Sequence, residues 1–290
     1  MAEASIPVDL TNPGQVFACL GFLEAADILL GNAEGGFEWS DEKDVRFVMR
    51  ANGEENPFAI VLEFLAEAKV VAISPEGIEG PWPDGTRSEL MFPAPAKSGG
   101  QLYTLPIRVA NDNYCVPISH WLEGDSRVTF KLFAGQQVGA TLARNMLAGD
   151  NKKRESMGVR SIYSASKESI HYDPFTVVYP VGGRFGFDAR GAWDALRIGT
   201  SLDIHDVLLQ LSPFVEILAA IGLENARPIK HSTQVKYSAW RIVMPLSLCR
   251  AALGTAHLFL SHKYCRHFTT HLGEDKKYKK FFFAQQEATP

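Results

Sequence analysis

Five side chains able to bind metal or transfer protons cluster near the end of the sequence: His257, His262, Cys265, His267 and His271. The spacing of His267 and His271 would place both imidazoles on one face of a helix, as metal ligands often are. No second ligand pair at zinc-finger spacing and no HExxH glutamate accompanies them. We therefore predict a polar helix face, suited to a position near phosphate, in preference to a metal site, and we predict no cofactor.

The other catalytic patterns in the sequence are incomplete. His205-Asp206 resembles the central dipeptide of metal-dependent phosphohydrolases, but that chemistry needs further His and Asp ligands at separate positions. The glycine-rich stretch Gly182-Gly-Arg-Phe-Gly186 matches neither the dinucleotide fingerprint nor the P-loop. No GxSxG elbow is present, and no cysteine motif marks a nucleophile. These observations favour binding over catalysis, and we expect a protein that is not an enzyme.

The strongest binding candidate is a polar, basic stretch over residues 150–167. Its cations can contact phosphates, its Ser and Gly residues can follow a nucleic-acid backbone, and its tyrosine can stack on a base. The residues that we predict to bind nucleic acid in this way are Lys152, Lys153, Arg154, Ser156, Arg160, Tyr163 and Lys167. We expect this stretch to be a flexible loop. The alternative is a solvated loop without a ligand, which is common for exposed Lys-Lys-Arg runs.

Charge is distributed unevenly along the chain. Residues 1–96 contain five Lys and Arg against 17 Asp and Glu, whereas residues 97–290 contain 24 against 16. Such polarity suits a protein whose acidic part docks on partner subunits while its basic part faces phosphates. We therefore divide the chain at residue 96, while allowing that both parts form one continuous domain. Two solvated surfaces without a polyanion partner are the alternative.

Three helices are predicted from the same start signal, a capping side chain followed by proline at the first helical position. Asn12-Pro13 opens a helix that Gly31 ends, Asn56-Pro57 opens one to about residue 68, and Ser212-Pro213 opens one over residues 213–223. Further helices are predicted over residues 136–147 and 189–198. Strands are predicted over residues 45–50, 70–73, 105–109, 128–133 and 235–245.

The order of these elements has no regular βαβ rhythm, so we predict an irregular α+β fold with mixed helices and short strands. Residues 74–100 hold many prolines and glycines and predict a long surface loop. The basic aromatic tail after residue 273 should either dock or fray.

Two further expectations, for the cysteines and for the cellular compartment, come from patterns that the sequence lacks. Cys19, Cys115, Cys249 and Cys265 form no CxxC pair, so we expect four free thiols. No stretch reaches 18 uncharged apolar residues, and the N-terminus lacks the basic start and apolar core of a signal peptide. We expect a cytoplasmic protein with no membrane partner.

Three stretches of the sequence resemble one protein family. They are residues 5–27 (SIPVDLTNPGQVFACLGFLEAAD), 185–193 (FGFDARGAW) and 215–228 (VEILAAIGLENARP). In this order they are similar to the compact large-subunit family of type I-U (also called I-G) CRISPR systems. The resemblance implies a non-catalytic subunit of a Cascade complex, which lies at the foot of the complex beside the 5′ end of the guide RNA.

By the same resemblance, the expected partners are guide RNA, target double-stranded DNA, the backbone and foot subunits, and the helicase-nuclease. The subunit would grip duplex DNA, read the protospacer-adjacent motif and offer a landing surface for the nuclease. Two alternatives remain open. One is a CRISPR accessory protein that binds the complex without reading DNA, and the other is a metal-independent RNA-processing endonuclease using His120 or His171 as general acid or base.

Overall fold

The chain has a mixed α+β fold, as the sequence predicts. The computed structural model describes residues 1–75, 87–89, 107–119, 132–133, 139–150, 156–181, 183–192, 210–275 and 278–288. The helices in this part are α1 (Pro13–Leu29), α2 (Pro57–Glu67), α3 (Gly139–Ala148), α4 (Val159–Tyr172), α5 (Pro213–Gly222) and α6 (Leu246–Thr255). Short 3-10 turns lie at Ala189–Gly191, Ala256–Leu258 and His262–Tyr264.

The strands form several small sheets. An antiparallel sheet with the order β1-β3-β2-β12 combines β1 (Ala2–Pro7), β2 (Glu34–Glu38), β3 (Arg46–Ala51) and β12 (Met244–Pro245). A sheet with the order β5-β4-β6-β7 is built from β4 (Lys69–Pro75), β5 (Arg87–Glu89), β6 (Ile107–Ala110) and β7 (Cys115–Pro117). A two-stranded sheet is formed by β8 (Tyr179–Pro180) and β9 (Gln210–Leu211).

The largest sheet is formed by the C-terminal part of the chain. Its strands are β10 (Ile229–His231), β11 (Gln234–Trp240), β13 (Cys265–Asp275), β14 (Tyr278–Phe281) and β15 (Gln285–Gln286). Both β14 and β15 pair with β13. The basic aromatic tail therefore docks on the sheet, which decides between the two expectations for it.

All three predicted cap-plus-proline starts are confirmed. The side chain of Asn12 accepts a hydrogen bond from the Gly14 amide, that of Asn56 from the Phe58 amide and that of Ser212 from the Val215 amide. At the other end of α1, Gly31 has a φ of 82°, the left-handed conformation that glycine adopts at helix ends.

Helix α1 is central because it is buried on nearly every side. It crosses α5 so closely that a β-carbon added at Gly21 would lie 1.9 Å from the carbonyl oxygen of Leu218. A β-carbon added at Gly222 of α5 would lie 2.2 Å from the carbonyl oxygen of Phe17. The two backbones touch at this crossing, which only glycine allows.

The four cysteines form no disulfide with one another, as predicted. The two charge-defined parts of the sequence share one core, because a single cluster of buried side chains runs from Ile6 to Ala284. Each of α1 and α2, from the acidic part, packs against a helix of the basic part, α1 on α5 and α2 on α4. Residue 96 therefore does not divide the packing of the described chain.

Two sequence-based expectations of local structure were wrong. Residues 159–167 belong to helix α4, which has a kink at Ser166, and are not a loop. His267 and His271 lie on strand β13 and not on a helix. Burial in this segment repeats every two residues, as it does in a strand with one buried face. Phe268, Thr270 and Leu272 are buried, and they alternate with the more accessible His267, Thr269 and His271.

Other predictions have mixed outcomes. Strand β5 and the end of β4 lie within the range predicted as loop, and a 3-10 turn begins where a helix was predicted at residue 189. Most of the predicted strand over residues 128–133 lies outside the described residues, as do Gly182, His120 and the pair His205-Asp206.

Candidate nucleic-acid interface

Arg160, one of the predicted phosphate-binding residues, is engaged by the protein itself. Its Nε donates to the carbonyl oxygen of Ala66 at 3.1 Å, and its Nη2 donates to that of Ala68 at 3.2 Å. These carbonyls lie at the C-terminal end of α2, where backbone acceptors lack partners within the helix and attract a cation. Arg160 therefore joins α4 to the end of α2.

Tyr163 and Lys167 also contribute to the contact between α4 and α2. The Lys167 ammonium lies 3.1 Å from a carboxylate oxygen of Glu63 and 5.5 Å from the centre of the Tyr163 ring. Tyr163 is only 6% exposed, and its hydroxyl is 2.8 Å from Nε2 of His171. Burial raises the pKa of Tyr163 and lowers the pKa of His171. A ring this buried has no open face for a base, so we withdraw Tyr163 as a stacking residue.

Ser156 holds together the two ends of the stretch that carries the Lys-Lys-Arg run. Its hydroxyl accepts from the Asp150 amide at 3.1 Å. The backbones of Gly149 and Gly158 also meet, since a β-carbon on Gly158 would lie 2.3 Å from the Gly149 nitrogen. The three remaining predicted residues, Lys152, Lys153 and Arg154, lie outside the described residues. Nucleic-acid binding by these three stays a prediction.

A second polar site, fully buried, centres on Glu216 of α5. One of its carboxylate oxygens accepts from the amides of Phe185 (2.6 Å) and Gly186 (2.9 Å), and the other accepts from those of Phe187 (2.9 Å) and Asp188 (2.8 Å). Burial raises the pKa of Glu216, and the hydrogen bonds from the backbone oppose this rise. The carboxylate thus fixes the conformation of a whole chain segment.

Asp188 and Asn12 extend this network. Asp188 accepts from Nδ2 of Asn12 at 2.9 Å, from the Ser212 amide at 2.9 Å and from the Arg190 guanidinium at 2.8 Å. Oδ1 of Asn12 accepts from the Ala189 amide at 3.2 Å as well as from Gly14. The three stretches that carry the family resemblance therefore meet in one buried hydrogen-bond network. Sequence reasoning missed it, although Glu216 is the only carboxylate in the apolar helix α5.

Three histidines near the end of the chain line an open cleft on the large C-terminal sheet. His257 and His262 come from the 3-10 turns and are exposed, and their rings lie 5.9 and 6.5 Å from that of His267 on β13. The cleft has a volume of about 300 Å³ and is also lined by Lys236, Glu287 and, at its base, Ser238. The structure thus brings together three of the four histidines that the sequence grouped.

His267 is held at the base of this cleft by its neighbours. Its Nδ1 is 2.9 Å from the Ser238 hydroxyl, and its Nε2 is 3.4 Å from the sulfur of Cys265. Burial lowers the pKa of His267; Glu287 opposes this, and the nearby His257 and His262 lower the pKa further. Within the described part of the chain, no three His, Cys, Asp or Glu side chains are arranged to hold a metal ion.

Ion pairs connect the acidic and basic parts of the sequence. The pairs are Glu24 with Arg250 (2.6 Å), Glu38 with Arg241 (3.0 Å), Glu42 with Arg266 (3.1 Å) and Glu63 with Lys167 (3.1 Å). Some of the charge asymmetry is therefore neutralised within the fold. The hypothesis of a docking part and a phosphate-facing part placed the acidic and basic charges on separate surfaces, but these residues pair with each other.

Comparisons with known protein families, curated proteins and solved structures gave no match. Among the helices in the described ranges, none is long and apolar enough to cross a membrane.

Proposed function

We propose that this protein is the non-catalytic large subunit of a type I CRISPR surveillance complex. The observation that carries the proposal is the buried network of Asn12, Asp188 and Glu216, into which all three family-like stretches lead. The three stretches form one structural unit through these hydrogen bonds, which supports treating them as a single signature. The function is assigned by analogy with the family.

In this role the subunit works by contact. It binds target duplex DNA at the protospacer-adjacent motif beside the 5′ end of the guide RNA, packs against backbone and foot subunits, and helps to recruit the helicase-nuclease. Guide pairing reads most of the target sequence, so the protein needs phosphate contacts and a short motif reader. The run Lys152, Lys153 and Arg154 is the part of the predicted site that supplies duplex contacts.

The test is a complex assembled with the variant Lys152→Ala/Lys153→Ala/Arg154→Ala. Arg160 is left intact because it joins α4 to α2, and its loss would damage the fold. If the three cations each neutralise a phosphate, the slope of log affinity against log salt should fall by about 0.9 per contact, and duplex binding should weaken equally for different target sequences. Binding of matched single-stranded DNA should change little, because it bypasses duplex capture.

The control variant is Lys43→Ala/Lys69→Ala/Arg144→Ala, which removes the same charge from exposed positions elsewhere. It should bind duplex DNA like the parent. An unchanged salt slope in the first variant, or an equal loss in the control, would return the Lys-Lys-Arg run to a solvated loop.

The endonuclease alternative is favoured by one observation, the histidine-lined cleft, since paired imidazoles can act as acid and base on RNA. His171, the candidate base in the sequence, is instead half-buried against Tyr163. Incubating the pure protein with repeat RNA in EDTA tests this alternative, and we expect intact RNA. The accessory-protein alternative predicts that complexes lacking this chain capture duplex DNA normally.

A further inference from the structure

The outward face of the large C-terminal sheet is polar where β11 pairs with β13. On β13, His267, Thr269 and His271 point away from the core, and they pair across the sheet with Ser238, Lys236 and Gln234 of β11. The histidines on the two 3-10 turns lie above the same face and convert it into a cleft.

The charges in the cleft are arranged so that its histidines control the net charge. Lys236 forms an ion pair with Glu287 at 2.7 Å, and Glu287 also accepts from the Thr269 hydroxyl at 2.6 Å. The ammonium and the carboxylate therefore cancel. The other titratable groups at the cleft, the Cys265 thiol and the Tyr237 hydroxyl, have pKa values raised by burial and stay neutral. With these charges balanced, a proton on an imidazole of the cleft would give it a net positive charge.

The segments that carry the two exposed histidines also carry aromatic rings. Phe259, 45% exposed, follows His257 by two residues; Tyr264, which follows His262 by two residues, is partly exposed and has the Lys263 ammonium 4.7 Å from the centre of its ring. Basic donors beside accessible rings are typical of surfaces that bind single-stranded nucleic acid, where phosphates meet the cations and bases stack on the rings.

We propose that this cleft binds a backbone phosphate of a single-stranded nucleic acid through His257 and His262, with Lys236 at its edge. The choice of nucleic acid as ligand rests on the proposed function, whereas the anion site rests on the cleft itself. His267 positions the base of the cleft through Ser238 and Cys265. The bound phosphate favours the protonated imidazoles, so binding strengthens as pH falls.

The experiment measures fluorescence anisotropy of short labelled RNA and DNA single strands with the full-length isolated protein at low salt. Affinity should rise about tenfold between about pH 7.5 and pH 6, the range in which imidazoles gain protons. In His257→Ala/His262→Ala this rise should shrink to about twofold, because the remaining histidine is half-buried. The matched control His231→Ala removes an exposed histidine of the same sheet, outside the cleft, and should behave like the parent.

A variant that is expected to bind more tightly is needed as well, because misfolding can cause a loss of binding but not a gain. Glu287→Gln removes the carboxylate that cancels Lys236, so it should bind more tightly than the parent at the higher pH. The new amide oxygen can still accept from Thr269.

Preference for RNA or for DNA identifies the natural strand, and either supports the site. Inorganic phosphate that binds as tightly as the oligonucleotides would overturn the nucleic-acid assignment. Equal binding by parent and His257→Ala/His262→Ala would overturn the site itself. Loss of this site with normal duplex capture by the assembled complex would leave the proposed function standing. Binding here, with normal duplex capture by complexes that lack this chain, would contradict the proposed function alone.

Discussion

At the scale of single residues, Glu216 shows how one buried carboxylate can organise a segment of backbone. Four consecutive amides donate to it, so the segment from Phe185 to Asp188 wraps around a single side chain. Buried donors left without an acceptor cost more than the net value of the bonds they make, so the side chain and the segment depend on each other.

We predict that Glu216→Gln destabilises the protein by about 3 kcal/mol, because an amide group would point donor hydrogens at backbone donors. Urea unfolding measures the change. Glu54→Gln, at an exposed position, should alter the unfolding free energy by less than about 0.5 kcal/mol. A Glu216→Gln variant as stable as the parent would mean that Glu216 is held as the neutral acid.

The pKa of His267 predicts a pH dependence of stability. Burial lowers this pKa in the folded state, so the neutral ring contributes stability above the unfolded value of about 6.5, and that stability is lost as pH falls toward the folded value. Unfolding free energies at about pH 7.5 and pH 5.5, in buffers without phosphate, should therefore differ less for His267→Gln than for the parent. His231→Gln, at an exposed site, should keep the parental difference.

At the scale of secondary-structure elements, two helix caps of the same residue type have different surroundings. Asn56 is exposed and caps only its own helix, whereas Asn12 is fully buried and also bonds Asp188 and Ala189. The local signal in the sequence is the same, but the second set of bonds arises from residues more than 170 positions away.

We predict that Asn56→Ala costs about 1 kcal/mol, the ordinary value of a lost cap. Asn12→Ala should cost about 3 kcal/mol, because it also leaves buried polar groups without partners. Chemical unfolding of both variants tests the difference. Equal losses would show that the contacts of Asn12 with the segment around Asp188 contribute no net stability. In both variants the free energy of unfolding should fall while the folded protein still binds target DNA.

The crossing of α1 and α5 leads to a prediction that opposes helix propensity. Alanine is favoured over glycine within a helix by about 1 kcal/mol, so propensity alone would make Gly21→Ala stabilising. A new methyl 1.9 Å from the Leu218 carbonyl oxygen forces the helices apart, and overpacking of this kind costs about 3 kcal/mol. We expect clear net destabilisation in thermal unfolding. Ser164→Ala, on the exposed side of α4, is the neutral comparison.

At the scale of the whole molecule, the acidic part (residues 1–96) and the basic part (residues 97–290) of the sequence pack together. They share a core, and ion pairs cross between them. Exposed pairs such as Glu42 with Arg266 contribute little, whereas Glu24 is 4% exposed and receives two hydrogen bonds from Arg250. Some of the charged residues that the sequence analysis expected to contact partners therefore form ion pairs within the protein.

The proposed role predicts that the isolated protein is a poor sequence-specific binder. Guide pairing supplies most of the specificity in guided systems, so tight target binding should require guide RNA and backbone subunits. Affinities for matched and scrambled duplexes, measured with the isolated chain and with the assembled complex, test this. Tight, sequence-specific binding by the isolated chain at physiological salt would contradict it.

The sequence by itself determined the features that depend on neighbouring residues. Caps followed by proline located the starts of α1, α2 and α5, alternation of apolar residues located β3, and a short apolar run located β4. These signals act within a turn of helix or along one strand, so no distant residue is needed to interpret them.

Only the tertiary structure decided the roles of polar side chains. Arg160 and Tyr163 looked like ligand-binding residues because charge and aromaticity are visible in a sequence, but their partners on α2 and at His171 are not. In the same way, His257, His262 and His267 became a cleft only because β13 is a strand and the two turns lie above it. Hydrogen bonds and ion pairs are satisfied in three dimensions, so residue type gives the capacity to bind and packing decides which partner is reached.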